Sequence, residues 1–177
     1  MPVSSSKVKP AHYIICGIWL VLTIAAAIYF INGRLADFDP EQTLSGTDPV
    51  SWMQKIREID QLKGQDLSNT IVHFTSQNCS CTQYSDNHKG EINQRASVEG
   101  FNVINVIVSE KVAALVPSTP AILITDQQQK LLYFGPYSAG LACSASNGYV
   151  ETVLGNYAKG YSASLMVNDT SGCYCHL

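Results

Sequence analysis

Charge is scarce in this chain. Asp, Glu, Lys and Arg make up 14% of its 177 residues, against roughly a quarter in an ordinary soluble domain. Positive charge is scarcer still. Lys7 and Lys9 account for two of the 11 basic residues, leaving nine against 14 acidic ones in the remainder. That balance excludes a nucleic-acid binder, which needs a basic patch or stripe. Also lacking are a glycine-rich phosphate loop, a paired-carboxylate motif, a Ser-His-Asp arrangement, an internal repeat and any low-complexity tract. Nucleotide, acid–base and serine-nucleophile chemistry therefore have no signal here. Long disorder is excluded too, because a hydrophobic fraction of 46% recurs along the chain.

What is present is one apolar block and six cysteines. Tyr13 to Ile31 is an uncharged run of 19 residues, 17 of them hydrophobic. As a helix it would span roughly 28 Å, close to the hydrocarbon core of a bilayer. A helix also satisfies its own backbone hydrogen bonds in lipid. Tyr13, Trp19, Tyr29 and Phe30 lie partly toward its ends, where aromatic rings favour the interface. Lys7, Lys9 and the amino terminus precede the run, whereas Arg34 is followed by Asp37, Asp39 and Glu41. The excess of positive charge on the N-terminal side places residues 1–12 in the cytoplasm. Ala25-Ala26-Ala27 imitates a signal-peptide cleavage site, but Ile28 to Ile31 continues the apolar run past it. The reading is an uncleaved anchor over 13–31 in a lipid bilayer, with a buried core helix as the bland alternative. Cys16 sits inside the run as a small apolar residue.

The rest, residues 32–177, has the length of one domain. Gly33, Pro40, Ser45, Gly46 and several acids make 32–47 a linker. Asp48-Pro49 is a helix start, and Trp52, Ile56 and Ile59 form one apolar face. Strands are predicted at Thr70–Thr75, Phe101–Val108, Pro120–Thr125 and Lys130–Phe134, the last two as an antiparallel hairpin. A polar helix-compatible stretch runs to about Ala96, interrupted by Gly90. A short helix covers Lys111–Val116. Tyr149, Val150, Val153, Leu154 and Tyr157 line a last helix closed by Gly160. Strands joined by helices pair in parallel, so the class is α/β, a mixed central sheet flanked by helices. The domain is taken as 48–163 and a cysteine-containing tail as 164–177. His88 reads as a solvated surface residue, Tyr133 and Tyr137 as core, and Asn168-Asp169-Thr170 as a polar turn rather than a glycosylation site.

Five cysteines lie outside the anchor: Cys79, Cys81, Cys143, Cys173 and Cys175. Their number fits an oxidising compartment. Cys79 falls between a predicted strand and a predicted helix, where the helix dipole and unpaired N–H groups favour the thiolate. Thiolate is the nucleophile of disulfide exchange, and Cys81 is placed to resolve a mixed disulfide. Residues i and i+2 of a helix point about 200° apart, so a Cys79–Cys81 bond requires a turn at the helix start. Alternatively, Cys79 or Cys81 bonds Cys143, Cys173 or Cys175. Five thiols leave one unpaired. Cys173, Cys175 and His176 are also ligand types suited to Cu(I) or Zn(II).

With Phe74 ending a buried strand, Cys79 five positions later and Thr119-Pro120 some forty residues on, the chain resembles the thioredoxin-like superfamily. The likeness covers roughly residues 48–160. It implies a thioredoxin-like three-layer fold, a cis-proline at Pro120 facing the active site, and a glycine near Gly135 before the final helix. There are departures. Only Ser80 separates the two cysteines, Thr82 stands at the usual resolving position, and Gln77-Asn78 replaces the usual tryptophan. His73 occupies the place of the buried strand acid, either to move protons or as a plain strand histidine. The N-terminal anchor, the CxC, the GPY segment and the terminal CxC together are similar to a family of bacterial membrane-anchored thioredoxin-like proteins. That likeness implies an inner-membrane protein with its domain in the periplasm, and it carries no activity of its own.

The leading expectation is therefore thiol–disulfide exchange with protein thiols or disulfides. Cys79 attacks, Cys81 resolves, and Thr119 and Pro120 hold a substrate strand. One alternative is a Cu or Zn site built from Cys79, Cys81, Cys173, Cys175 and His176. Another is a non-catalytic module whose cysteines are structural staples. No other cofactor is expected.

Overall fold

The computed structural model describes residues 10–32, 35–140 and 148–177. The chain divides into two units, Met1–Arg34 and Leu35–Leu177.

The first unit contains helix α1 (Pro10–Asn32). Its Pro10–Ile31 span is long and apolar enough to cross a membrane. Large apolar side chains are exposed all round it, Trp19 and Leu22 among them, which no water-facing helix favours. Thr23 donates its hydroxyl to the Trp19 carbonyl at 2.9 Å and so satisfies itself within the helix.

In the second unit, strand β1 (Ala36–Asp37) leads to helix α2 (Pro49–Arg57). The Asp48 carboxylate accepts from the Ser51 N–H at 2.9 Å and Pro49 opens the helix, as the sequence predicts. Strand β2 (Thr70–Thr75) runs into helix α3 (Ser80–Glu99), then strand β3 (Asn102–Ile107). Gly90 does not interrupt α3. Its missing side chain costs helix propensity, but the packed stripe on the opposite face holds the helix through it. The helix ends at Gly100, where φ of 77° suits glycine. The short helix expected over 111–116 is one 3-10 turn, Glu110–Val112, before Pro117. Next come β4 (Ser118–Thr119), β5 (Ala121–Thr125) and β6 (Leu131–Gly135), then helix α4 (Tyr149–Tyr157).

Strand β2 pairs in parallel with β3 and antiparallel with β5, and β5 pairs antiparallel with β6. With β7 (Leu165–Met166) parallel to β6, the five-stranded mixed sheet has the order β3-β2-β5-β6-β7. Side chains alternate across β2. Val72 and Phe74 join Trp52, Ile56 and Phe134 on the α2 face, while Ile71 joins Ile92, Ala96, Val150 and Leu154 on the α3 and α4 face.

Two boundaries move. The segment read as a linker belongs to the domain from Leu35 onward: Phe38, Asp39 and Leu44 are buried. Its glycine and acid content makes a folded turn instead, because Asp39 accepts from the Thr43 and Leu44 N–H groups at 2.9 and 2.8 Å. The segment read as a tail supplies β7 to the main sheet, β8 (Ser171–Gly172) to β1, and β9 (Cys175–His176) to β4. Such two-residue pairings carry too little periodicity to be read from sequence.

Candidate functional site

The site is built where three chain segments end against one another. Strand β2 delivers Phe74 and Thr75, and Cys79 follows as the N-cap of α3 with extended backbone, φ −93° and ψ 107°. Cys81 lies inside the first turn and points into the domain. From the other end, Cys173 and Cys175 flank Tyr174. In extended chain, residues two apart face the same side. The Tyr174 ring turns inward, contacts Phe38 edge-on at 5.4 Å, and donates its hydroxyl to the Ser138 carbonyl at 2.7 Å. Both neighbouring sulfurs are thereby presented to α3.

Each cysteine of the first pair is bonded to one of the second. Cys79 joins Cys175 with Cα atoms 5.7 Å apart, and Cys81 joins Cys173 with Cα atoms 5.6 Å apart. Both spans lie in the ordinary disulfide range. Cys81 is thus not bonded to Cys79: of the pairings left open by the sequence, the structure holds the two that reach the C-terminal CxC. The sulfurs of Cys79, Cys81 and Cys175 lie within 4.8 Å of one another, so the first bond lies beside the Cys81 end of the second. Cys79 and Cys81 are buried, whereas Cys173 and Cys175 are half-buried. Cys16 is a free, exposed cysteine of α1. Cys143 lies outside the described residues.

Thr119 and Pro120 come to the same place. The Cys79 sulfur sits 3.3 Å from the Thr119 carbonyl oxygen, a contact rather than a hydrogen bond while the sulfur is oxidised and has no proton. The Thr119–Pro120 peptide bond is cis. Strand β9 lies antiparallel along β4, with Thr119 opposite Cys175 and Ser118 opposite His176. The Ser118 hydroxyl meets His176 Nδ1 at 2.9 Å, and the Leu177 N–H donates to the Pro117 carbonyl at 3.2 Å. A groove of about 620 Å³ opens beside this strand end, walled by Gln77, Asn78, Lys111, His176 and Leu177.

Further polar groups lie on the α3 side of the sheet. His73 is fully buried between the Tyr137 hydroxyl, 2.5 Å from Nδ1, and Asn93 Oδ1, 2.8 Å from Nε2. Asn93 Oδ1 can only accept, so Nε2 carries the proton and Nδ1 accepts from tyrosine. Burial holds the imidazole down at about 4; the Asn93 bond opposes this and the Lys89 charge adds to it. Burial also pushes the Tyr133 hydroxyl far above the ordinary range, leaving it a donor to the Pro136 carbonyl at 2.6 Å.

His88 is not a surface residue. It is buried, with Nε2 2.7 Å from Glu151 of α4. Cys81, Ser85, His88, Ile92 and Ala96 form one buried stripe at helical spacing. Its polar members hid that stripe from a hydrophobicity pattern. Tyr133 and Tyr137 are core residues as expected. Ser118 and Tyr174, which seat the terminal strand, had no signal in the sequence beyond adjacency to Pro120 and the cysteines.

Residues 50–177 match the family described as Domain of unknown function (DUF6436), and the chain belongs to that family. Neither the curated proteins nor the solved structures yield a match. The chain is thus a disulfide-bearing mixed α/β domain of this family, preceded by an apolar helix.

Proposed function

We propose that the protein is a membrane-anchored, thioredoxin-like thiol–disulfide exchange protein. The anchor is α1, and the domain works on the oxidising side of a bacterial inner membrane. A reporter enzyme fused after Leu177 that is active only outside the cytoplasm tests the orientation, and a cytoplasm-active signal overturns it.

One observation carries the chemical reading. Cys79 caps the N-terminus of a 20-residue helix, is bonded to a half-buried cysteine, and touches the residue before Pro120. A leaving thiolate at that position is favoured by the helix dipole and the unpaired N–H groups, and a good leaving group speeds attack on its partner sulfur. The thioredoxin-like reading is supported by the strand order, by the Cys79-to-Pro120 juxtaposition and by the helix layers on both sheet faces. Cys175 takes the place expected of Cys81 as the bonded partner of Cys79, and in oxidation of a dithiol it carries the mixed disulfide while Cys79 leaves.

The test is oxidation of a reduced dithiol peptide by the full-length protein. Cys79→Ser is expected to lower the rate by about a hundredfold, since its thiolate is the leaving group, while Cys16→Ser leaves it unchanged. Equal rates for Cys79→Ser and the parent would remove the proposal.

A second reading has its own observation. The sulfurs of Cys79, Cys81 and Cys175 lie within 4.8 Å of one another with the bonds formed, and released as thiolates they are ligand types suited to one soft cation, Cu(I) or Zn(II). Metal analysis after anaerobic purification decides it: a stoichiometric metal supports this reading, and a metal-free protein that takes up neither ion rejects it.

A further inference from the structure

We infer that the two neighbouring disulfides form an internal relay, with the Cys175 sulfur as the moving contact between them. The inference rests on the exchange reading above and gives the site a second oxidising equivalent. Exchange needs a thiolate within reach of a disulfide sulfur. Cys175 belongs to one bond, yet its sulfur lies within 4.8 Å of Cys81, which belongs to the other. Cys79 and Cys81 are buried at a helix start, and their directions are set by its backbone. Cys175 sits on a two-residue strand and is half-buried, so rotation about its Cα–Cβ bond is the smaller movement.

The relay begins when a thiolate of a substrate dithiol attacks the Cys175 sulfur. The Cys79–Cys175 bond breaks and Cys79 leaves as thiolate. The second substrate thiolate then attacks the substrate sulfur in the mixed disulfide and expels Cys175 as thiolate. The substrate has become a disulfide, losing two electrons to the protein and two protons to the thiolates or solvent. The Cys175 thiolate next attacks Cys81, forming Cys81–Cys175 and expelling Cys173. Finally the Cys79 thiolate attacks Cys175, restoring Cys79–Cys175 and expelling Cys81. No electrons enter or leave in these last two steps. The reduced pair has moved to Cys81 and Cys173, and the outer bond is ready for a second dithiol. The substrate class is thus a protein dithiol, and one chain oxidises two of them before it must be reoxidised.

The test omits substrate, so it stands apart from the exchange activity. In full-length protein carrying Cys16→Ser and Cys143→Ser, the further change Cys79→Ser leaves Cys175 as a free thiol beside Cys81–Cys173. After incubation at mildly alkaline pH, acid quenching, alkylation and peptide mapping, the expected product is a Cys81–Cys175 bond with alkylated Cys173 in about one chain in ten or more. Circular dichroism reports whether the fold is kept, and Cys79→Ala repeats the test if serine disrupts it. Alkylation confined to Cys175 overturns the relay. With Cys175→Ser instead, Cys81–Cys173 is expected to persist and Cys79 to be alkylated. An equal yield of Cys79–Cys81 there overturns the assignment to Cys175.

Discussion

At the first turn of α3, Cys79 and Cys81 are tied covalently to a strand from the far end of the chain. Two turns further along the same buried stripe, His88 meets Glu151, and His73 on the adjoining strand meets Tyr137 and Asn93. The two clusters differ in what can reach them. Cys173 and Cys175 are half-buried, and the proposed exchange requires an external thiolate to reach one of them with the core intact. The imidazoles of His73 and His88 are buried, and burial holds His73 below its ordinary range, so its proton state is coupled to unfolding rather than to a surface reaction. The junction holds two disulfides with half-buried ends, whereas the stripe is closed within the core.

The largest effect that separates the clusters comes from removing the bridges. The first disulfide closes a loop with a sequence separation above ninety residues, worth about 4 to 5 kcal/mol on the chain-entropy account. The second closes nearly the same loop and restricts the unfolded chain little further. Replacing Cys81 and Cys173 by serine is therefore expected to cost about 1 kcal/mol, and replacing all four bonded cysteines several times as much. Urea unfolding of the oxidised proteins measures both. A cost for the fourfold change only twice that of Cys81→Ser with Cys173→Ser would show that stability resides in local packing of the sulfurs rather than in loop closure.

The buried histidine responds to pH instead. His73 stands at about 4 in the folded protein, against about 6.5 unfolded. Between these values the unfolded chain binds the extra proton, so stability rises with pH. The contribution is complete above 6.5 and is lost as pH falls toward 4, by about 3 kcal/mol. His73→Gln should flatten that part of the stability curve, whereas Cys81→Ser with Cys173→Ser should keep it, because disulfides do not titrate. Urea midpoints at pH 7 and pH 4.5 compare them, and an unchanged slope in His73→Gln would place the pH response elsewhere.

The same contrast explains what the sequence made legible. The apolar helix, four of the sheet's five strands and the Asp48 cap rest on strong local patterns: an uncharged run, β-branched segments, a capping pair; the meeting of Cys79 with Thr119 follows only from the resemblance. Residues 35–47 and 164–177 carry no such pattern, because they bury few residues each and take their structure from long-range pairing. Phe38 and Tyr174, far apart in sequence, become neighbours only after β1 meets β8. His88 reads as a surface residue in sequence because its helix stripe mixes cysteine, serine and histidine with apolar residues, and a single polar residue does not reveal its partner on α4. The cysteine pairing stayed open since spacing alone does not fix connectivity.

The smallest expected effect tests how the terminal strand is held ready. Tyr174 separates the two tail cysteines, and its hydroxyl donates to Ser138 from a buried seat. Gly172 is needed beneath it: a Cβ there would stand 2.6 Å from the ring carbon bearing that hydroxyl. Tyr174→Phe removes one buried hydrogen bond and keeps the ring against Phe38, at a cost of about 1 kcal/mol. With the disulfides formed, the bridges still fix the strand, so reactivity toward an added dithiol should change little. After reduction, the strand is held by Tyr174 and the β4 pairing, and the variant should re-form Cys79–Cys175 more slowly, by about fivefold if the lost bond appears fully in the docking equilibrium. Thiol trapping during reoxidation measures this. An unchanged reoxidation rate alongside the lost stability would assign the seating to the β4–β9 pairing, and to the Ser118–His176 contact within it, rather than to the tyrosine.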